Sequence, residues 1–327
     1  MFRHLKALAG TAACGLSVLA ACGAALAQSY PANPVRWIVP FPAGSGTDVM
    51  TRAIAQPLAL SLGKPVIVEN RAGANTLIGL EAAAKAAPDG YTMVTVVIGS
   101  VVFNPFMHRK LPYDPQRDFA PVSLFARVPL MLVVSESSPA KSLNEFVAYA
   151  RARPGKLNYG SSGVGHTFYL AMEMFKQRTR TDLVHVPYKG TNLATQDLVA
   201  GRLDAMFSSP VDSLSLVKAG KLRALATATR ERLPSLPDVP TFEEAGMPDF
   251  GFTSWMAVMM PAGTPKEIVA RLSREIAKIV NSPELSKFYA NLNMLPATNT
   301  PEEFAQLIQK ESETWGPLIR SLGISLE

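Results

Sequence analysis

From Val35 onward the chain alternates short β-rich runs with helical stretches, and each run ends in glycine, proline or serine before the helix begins. Alternation of this kind builds βαβ units with largely parallel sheets, since strands running the same way need a helical crossover to return. Strands are expected at 35–39, 66–69, 91–97, 122–125, 130–134, 157–159, 183–186, 205–208, 223–227 and 254–259. Ser142 and Glu145 have capping-box spacing, with a helix running on to Arg153 before Pro154-Gly155 stops it. Beyond Pro265 the pattern turns to amphipathic helices over 266–281, 283–292 and 301–322, with no further strand expected.

The first 27 residues have the form of an export leader. Arg3 and Lys6 give a positive start, Leu8 to Leu19 is small and apolar, and Ala25-Leu26-Ala27 precedes Gln28. Leu19-Ala20-Ala21-Cys22 spells an alternative, lipid attachment at Cys22; cleavage after Ala27 is the preferred reading, and it implies a periplasmic protein. Both cysteines, Cys14 and Cys22, lie in the leader, so cleavage at Ala27 leaves none for a disulfide, a nucleophile or a metal site. Removing Arg3 and Lys6 lowers the basic count from 32 to 30 against 26 acids, a net charge of +4. These charges are scattered without a basic stripe, which excludes nucleic acid as a partner and suits small anions.

The remaining roughly 300 residues exceed what one apolar core serves, so two lobes are expected. The helical tail packs back on the first lobe. That makes lobe 1 discontinuous, 28–127 plus 252–327, with 128–251 as lobe 2 and crossings near Arg127-Val128 and Phe250–Phe252. The cluster of Phe252, Trp255, Met259 and Met260 reads as core or hinge packing.

Chemical content concentrates where strands pass into helices. Phe41-Pro42-Ala43-Gly44-Ser45-Gly46-Thr47-Asp48 is a loop of small residues whose backbone amides can approach an anion at the positive end of the next helix; as an ordinary turn it would use Thr47 or Asp48 as the cap. Arg71-Ala72-Gly73-Ala74-Asn75-Thr76 repeats the design, as does Gly160-Ser161-Ser162-Gly163-Val164-Gly165-His166 in the second half of the chain. Val186-Pro187-Tyr188-Lys189-Gly190 adds an aromatic ring and a cation.

These blocks carry a resemblance. Val39 to Asp48, Val68 to Ala74, Pro88 to Tyr91, Asn104-Pro105, Asn158 to Gly165, His185 to Gly190 and Asp197 to Gly201 occur in the order seen in the Bug family, which the mature sequence resembles throughout. Bug proteins are the extracytoplasmic solute receptors of tripartite tricarboxylate transporters. The resemblance implies an α/β two-lobed type II periplasmic-binding-protein fold, a carboxylate held in the cleft by backbone amides, hydroxyls and water, a membrane permease as partner, and no cofactor. The chain departs from the family pattern at His166, where serine or threonine is common, and at Asn75-Thr76, where glycine is common.

The expected ligand set is accordingly Phe41, Ala43, Gly44, Ser45 and Thr47 with Ala74, Asn75 and Thr76 from one lobe, and Ser161, Ser162, Gly163 and His166 from the other. Ser100, Tyr188 and Asp204 would meet the solute's second end, Asp204 selecting an amino or hydroxyl group. His166 has two readings, a donor to ligand or a helix cap. No metal is expected, since His108, His166 and His185 lack ligand spacing. No nucleophile elbow, phosphate loop or dinucleotide fingerprint occurs, so an enzyme is not expected. The alternatives are a sensor docking on a signalling partner and an exported acyl-transfer enzyme using Ser161 or Ser162 with His166 as base. The receptor is expected to be monomeric.

Overall fold

A computed structural model describes residues 30–326 apart from Lys189, Asp249 and Gly251; the leader, with its Ala27 and Cys22 alternatives, lies outside the described residues. The chain forms two mixed α/β sheets, one per lobe. In the first, β1 (Val35–Val39) is parallel to β2 (Val66–Asn70) and β3 (Thr92–Val97), joined by crossover helices α1 (Gly46–Leu62) and α2 (Leu77–Ala84). A π-helical turn (Gly99–Phe103) and the short α3 (Asn104–Met107) follow β3. Strand β10 (Thr253–Pro261) pairs antiparallel with β3 on one side and with β4 (Phe119–Pro129) on the other. The edge is closed by β11 (Leu295–Pro296), a two-residue strand against Ala126 and Arg127. This strand corrects the expectation of none after Pro265; so short a pairing leaves no alternation to read.

The second sheet runs β7 (Leu183–Pro187), β6 (Leu157–Ser161), β8 (Ala205–Ser208), β5 (Met131–Ser135), β9 (Leu222–Thr227). Its first three strands are parallel; β5 is antiparallel to both neighbours and buried along its whole length, as its unbroken apolar run requires. Helices α4 (Leu143–Arg151), α5 (Thr167–Thr179), α6 (Thr191–Val199) and α7 (Pro210–Lys218) serve this sheet. Ser142 caps α4 by accepting from the Glu145 amide at 3.2 Å, but the Glu145 carboxylate takes the Lys141 amide rather than that of Ser142. The complete capping box stands at Thr300 and Glu303, opening α10 (Pro301–Ser321).

A single residue, Leu130, separates β4 from β5 and carries the chain between sheets. The crossing expected at Arg127-Val128 therefore falls later, because both residues still pair with β10, opposite Trp255 and Ser254. The return enters β10 at Thr253, directly after Phe252. Ala228 binds the two crossings together: its amide donates to the Leu130 carbonyl at 2.8 Å and its carbonyl accepts from the Phe252 amide at 3.2 Å. Trp315 of α10 packs on Phe252 and Phe103, with ring centroids 4.4 and 5.2 Å away, so the last helix braces the return crossing. Helix α8 (Lys266–Val280) buries Val269, Leu272, Ile276, Ile279 and Val280, one stripe at helical spacing, and α9 (Pro283–Leu292) follows it. Phe252, Trp255, Met259 and Met260 are buried. Among the described residues no helix is long and apolar enough to cross a membrane.

Candidate functional site

Loops that leave the carboxyl ends of parallel strands form the crevice of an open α/β sheet. In lobe 1 these loops follow β1, β2 and β3; in lobe 2 they follow β6, β7 and β8. Both edges lie beside the crossings: Ser208, ending β8, pairs with Met131 at the start of β5, and Val97, ending β3, pairs with Met256 near the start of β10. The two loop clusters therefore face each other across the paired crossings. They also touch, since a Cβ placed on Gly165 would come within 2.6 Å of the Met107 sulfur.

The loop after β1 is built around a buried carboxylate. Asp48, whose side chain is 3% exposed, accepts from Arg52 Nε at 3.0 Å to both oxygens, from the Gly44 amide at 2.9 Å and from Asn70 Nδ2 at 2.8 Å. Asn70 also donates to the Phe41 carbonyl at 3.1 Å, and the Arg71 amide to the Val39 carbonyl at 2.8 Å, which ties the first loop to the second. Burial pushes the Asp48 carboxyl up, but the hydrogen bonds from Arg52, Gly44 and Asn70 and the Arg52 charge outweigh it and hold it below its ordinary range.

This corrects the expected anion site. Ser45, not Thr47 or Asp48, caps α1, its hydroxyl accepting from the Asp48 amide at 3.3 Å. The Gly44 amide goes to Asp48 and that of Ser45 to the Pro42 carbonyl. Amides of this loop that make no hydrogen bond among the described residues include those of Ala43, Gly46 and Thr47, two of them at the helix start. Phe41, half-buried, lends its carbonyl to the framework.

The second loop is strained. Ala74, Asn75 and Thr76 all take positive φ, at 44°, 50° and 76°. A run of left-handed residues without glycine is costly, most of all at a β-branched threonine, and such strain marks functional backbone. The Thr76 hydroxyl is also buried without a partner. Gly79 lets α2 seat closely behind this turn, because a Cβ there would meet Pro40 and the Arg71 carbonyl at 2.7–2.9 Å. Replacing Thr76 with glycine is expected to stabilise the protein by about 1 kcal/mol, since relief of strain and of an unpaired hydroxyl outweighs glycine's greater unfolded-state entropy. Urea unfolding measures this; a loss of stability would show that the turn is unstrained.

In lobe 2, Ser161 is fully buried. Its hydroxyl lies 2.7 Å from His185 Nε2 and accepts from the Gly163 amide at 3.1 Å. His185 sits opposite Tyr159 in register and stacks on it, centroids 4.9 Å apart, with Tyr169 on another side at 4.7 Å. Tyr159 donates to Glu173 at 2.6 Å, as does Lys176 at 2.7 Å. Ser161 therefore shapes the loop rather than offering a free hydroxyl, and its histidine partner is His185, not His166. Ser162 and Gly163 are partly exposed at the loop surface. His166 is the N-cap residue of α5 through its backbone, while its ring makes no cap bond and is exposed. Nearby protein mass lowers its pKa, so the ring is neutral near pH 7, with one donor and one acceptor.

Three expected ligand residues are used otherwise. The Ser100 hydroxyl is buried and bonded to the Val97 amide and carbonyl, terminating β3. The Tyr188 hydroxyl donates to Asp197 at 2.7 Å and is pushed up to about 12 by burial and by that carboxylate. Asp204 accepts from the Asn158 amide at 2.7 Å at the amino ends of β6 and β8, the edge away from the crevice. Residues the sequence reading passed over are Asp48 and Asn70 as the loop buckle and His185 as the partner of Ser161. Asn70 and Asp48 were adjacent to recognised loops; the His185 pairing depends on strand register. Among the described residues no group of three or more His, Asp or Glu is placed to hold a metal ion. A cavity of about 580 Å³ opens beside Pro105–Asp118, lined by His108, Arg109 and Arg117 with Val101 and Phe106 of the segment after β3, and by none of the other strand-end loops.

Residues 50–324 match the tripartite tricarboxylate transporter family receptor (TctC) family. The chain belongs to that family. BugT of Bordetella pertussis is 36% identical to this receptor over 302 residues, 92% of this chain and 93% of BugT. A Rhodopseudomonas palustris protein solved with adipate superposes on it with a TM-score of 0.81 at 35% identity, over 91% of this chain and all of the other. MatC of the same organism, solved with bound malate, superposes with a TM-score of 0.76 at 32% identity, over 89% of this chain and all of MatC. The chain is thus a TctC-type solute-binding receptor with the two-lobed fold of periplasmic binding proteins.

Proposed function

We propose that this receptor closes around a small carboxylate-bearing solute in the periplasm and hands it to the membrane permease of a tripartite tricarboxylate transporter. The observation that carries this reading is the pair of loop clusters facing each other across the crossings, one of them presenting the unbonded amides of Ala43, Gly46 and Thr47 at a helix start. Those amides and the strained Ala74–Thr76 turn would receive one carboxylate, favoured by the positive end of α1. Ser162 and His166 would reach it from lobe 2, so contacts made only in the closed state draw the population toward closure. Adipate and malate, found in the two related structures, suit such a site.

The reading is of a receptor without catalysis. The serine that pairs with a histidine, Ser161, is fully buried, which deprives an acyl-transfer mechanism of an accessible nucleophile. The Ala25–Ala27 leader supplies export, and the permease would recognise the closed form as a monomer.

Native mass spectrometry of the protein as purified, followed by thermal shift against mono-, di- and tricarboxylates, tests this. A cognate acid at a hundredfold its Kd is expected to add about 2.7 kcal/mol of stability. A panel in which no carboxylate stabilises the protein would sink the proposal, and turnover of any acid would replace it with the enzyme reading.

A further inference from the structure

The last residues of the chain lie along the seam between the lobes. Beyond α10, Leu322, Ile324 and Leu326 are half-buried while Gly323 and Ser325 are exposed, the alternation of an extended strap with one face inward. The three apolar side chains pack on a core that contains Phe103 and Met107 of lobe 1 and Leu170 and Phe175 of lobe 2. The strap is fixed to lobe 1 at its far end: the Leu326 amide donates to the Met107 carbonyl at 2.7 Å, and Leu326 pairs with His108 in a parallel bridge. Where it leaves α10 it is joined to lobe 2, Gln177 Nε2 of α5 donating to Ser321 Oγ at 3.3 Å. Helix α3 is itself braced. The Phe106 ring lies so close over Gly316 of α10 that a Cβ there would meet it at 2.7 Å, and Arg320 covers the ring at 5.1 Å.

The end of the strap meets the ligand loop of lobe 2. Gly165 is buried although Val164 and His166 on either side of it are exposed. What covers it is lobe 1: a Cβ at Gly165 would stand 2.6 Å from Met107 Sδ, 3.1 Å from Met107 Cε and 3.4 Å from Leu326 Cδ1. Its φ of 80° lies in the left-handed region as well, so both space and backbone call for glycine. The loop is thus held at two points, at Ser161 by His185 of its own lobe and at Gly165 by Met107 and Leu326 of the other. Ser162 stands between these points and His166 directly after the second.

We propose that Met107 and Leu326 are positioning residues for the solute: by seating Gly165 across the seam they set where Ser162 and His166 stand relative to the lobe 1 loops, which makes the C-terminal strap part of the binding apparatus. The inference rests on the receptor reading above. Neither residue would touch the solute; each acts through the backbone of the 162–166 loop. Hydrogen bonds weaken steeply once stretched, so a loop lifted by about 1 Å forfeits the contacts it makes across the crevice.

Calorimetry and urea unfolding on the full chain test this. Adipate, malate and the rest of the carboxylate panel are the probes, and the acid that the parent binds most tightly is carried through the variants. Gly165→Ala is expected to weaken binding about tenfold, since the new methyl collides with Met107 and lifts the loop. Adding Met107→Ala removes the collision and is expected to bring binding back to within about threefold of the parent, a recovery that backbone strain at Gly165 would not permit. Leu326→Ala, which spares the buried Met107 and decides the matter should the double variant not fold, is expected to weaken binding about threefold with little change in the urea midpoint. Contacts that serve only the fold would lower the stability of the unliganded variants and leave affinity unchanged. Parent affinity in Gly165→Ala or in Leu326→Ala, or a loss in Gly165→Ala that Met107→Ala does not relieve, each overturns the inference and leaves the receptor reading standing. Failure of every carboxylate against the parent overturns both.

Discussion

Replacing Asp48 with alanine is expected to lower the free energy of unfolding by about 3 kcal/mol near neutral pH, because several charge-assisted hydrogen bonds to a buried carboxylate are lost together. The Gly44 amide and Asn70 Nδ2 lose their acceptor, while Arg52, half-exposed, regains water and softens the loss. Asn70 would also be less firmly held against the Phe41 carbonyl, so the first and second loops come apart and solute affinity falls with stability. The pH dependence has a defined sign. The folded-state pKa of Asp48 lies below its unfolded value, so its contribution is complete above the unfolded value and is lost as pH falls through the folded one. Urea unfolding of both proteins should therefore converge in strong acid. A variant within about 0.5 kcal/mol of the parent at neutral pH would show that the network contributes little.

Much of this architecture is legible in the chain. Alternating runs with small-residue ends place ten strands and the C-terminal helices, and the glycine-rich loops mark the crevice edge. What fails is the assignment of individual hydroxyls and carboxylates. Ser100 and Ser161 have residue types suited to ligand contact, but the fold buries them and satisfies them, with Val97 and Gly163 close by in the chain and with His185, a partner that no local spacing announces. His185 meets Ser161 only because β6 and β7 are parallel with Tyr159 opposite His185. Asp204 precedes β8, so a parallel strand carries it to the amino edge of the sheet, away from the strand-end loops, a placement that chain order alone indicates. Lys189 lies outside the described residues. The family pattern does not indicate the Asp48–Asn70 buckle, since a pattern names residues without saying which atoms are already bound.

Glu311 provides the second large effect, with the opposite sign from Asp48. It stands on the apolar stripe of α10 between Ile308 and Trp315, beside β4 and beside Trp255 of β10, the strands that carry the crossings. Burial pushes its carboxyl up to about 7, against the opposing influence of Arg127, the Trp255 and Trp315 indoles and Lys310. Glu311 Oε2 and Trp255 Nε1 are each buried without a hydrogen bond of normal geometry. A carboxyl raised in the folded state keeps its proton longer there than in the unfolded chain, so stability falls as pH rises from the unfolded value toward the folded one. At about pH 8 ionised Glu311 should therefore cost on the order of 2–3 kcal/mol. Glu311→Gln is expected to recover most of that at about pH 8 and to change little near about pH 3, where both states hold the proton. Chemical denaturation at the two pH values decides it: equal gains at both would assign the effect to packing, and no gain at the higher pH would mean that the Arg127 charge already neutralises Glu311. Since Glu311 bears on the two strands leading into the crossings, the pH-dependent loss should concentrate there, and amide exchange at Ala228 and Phe252 should quicken with pH in the parent, after correction for intrinsic exchange, and not in Glu311→Gln.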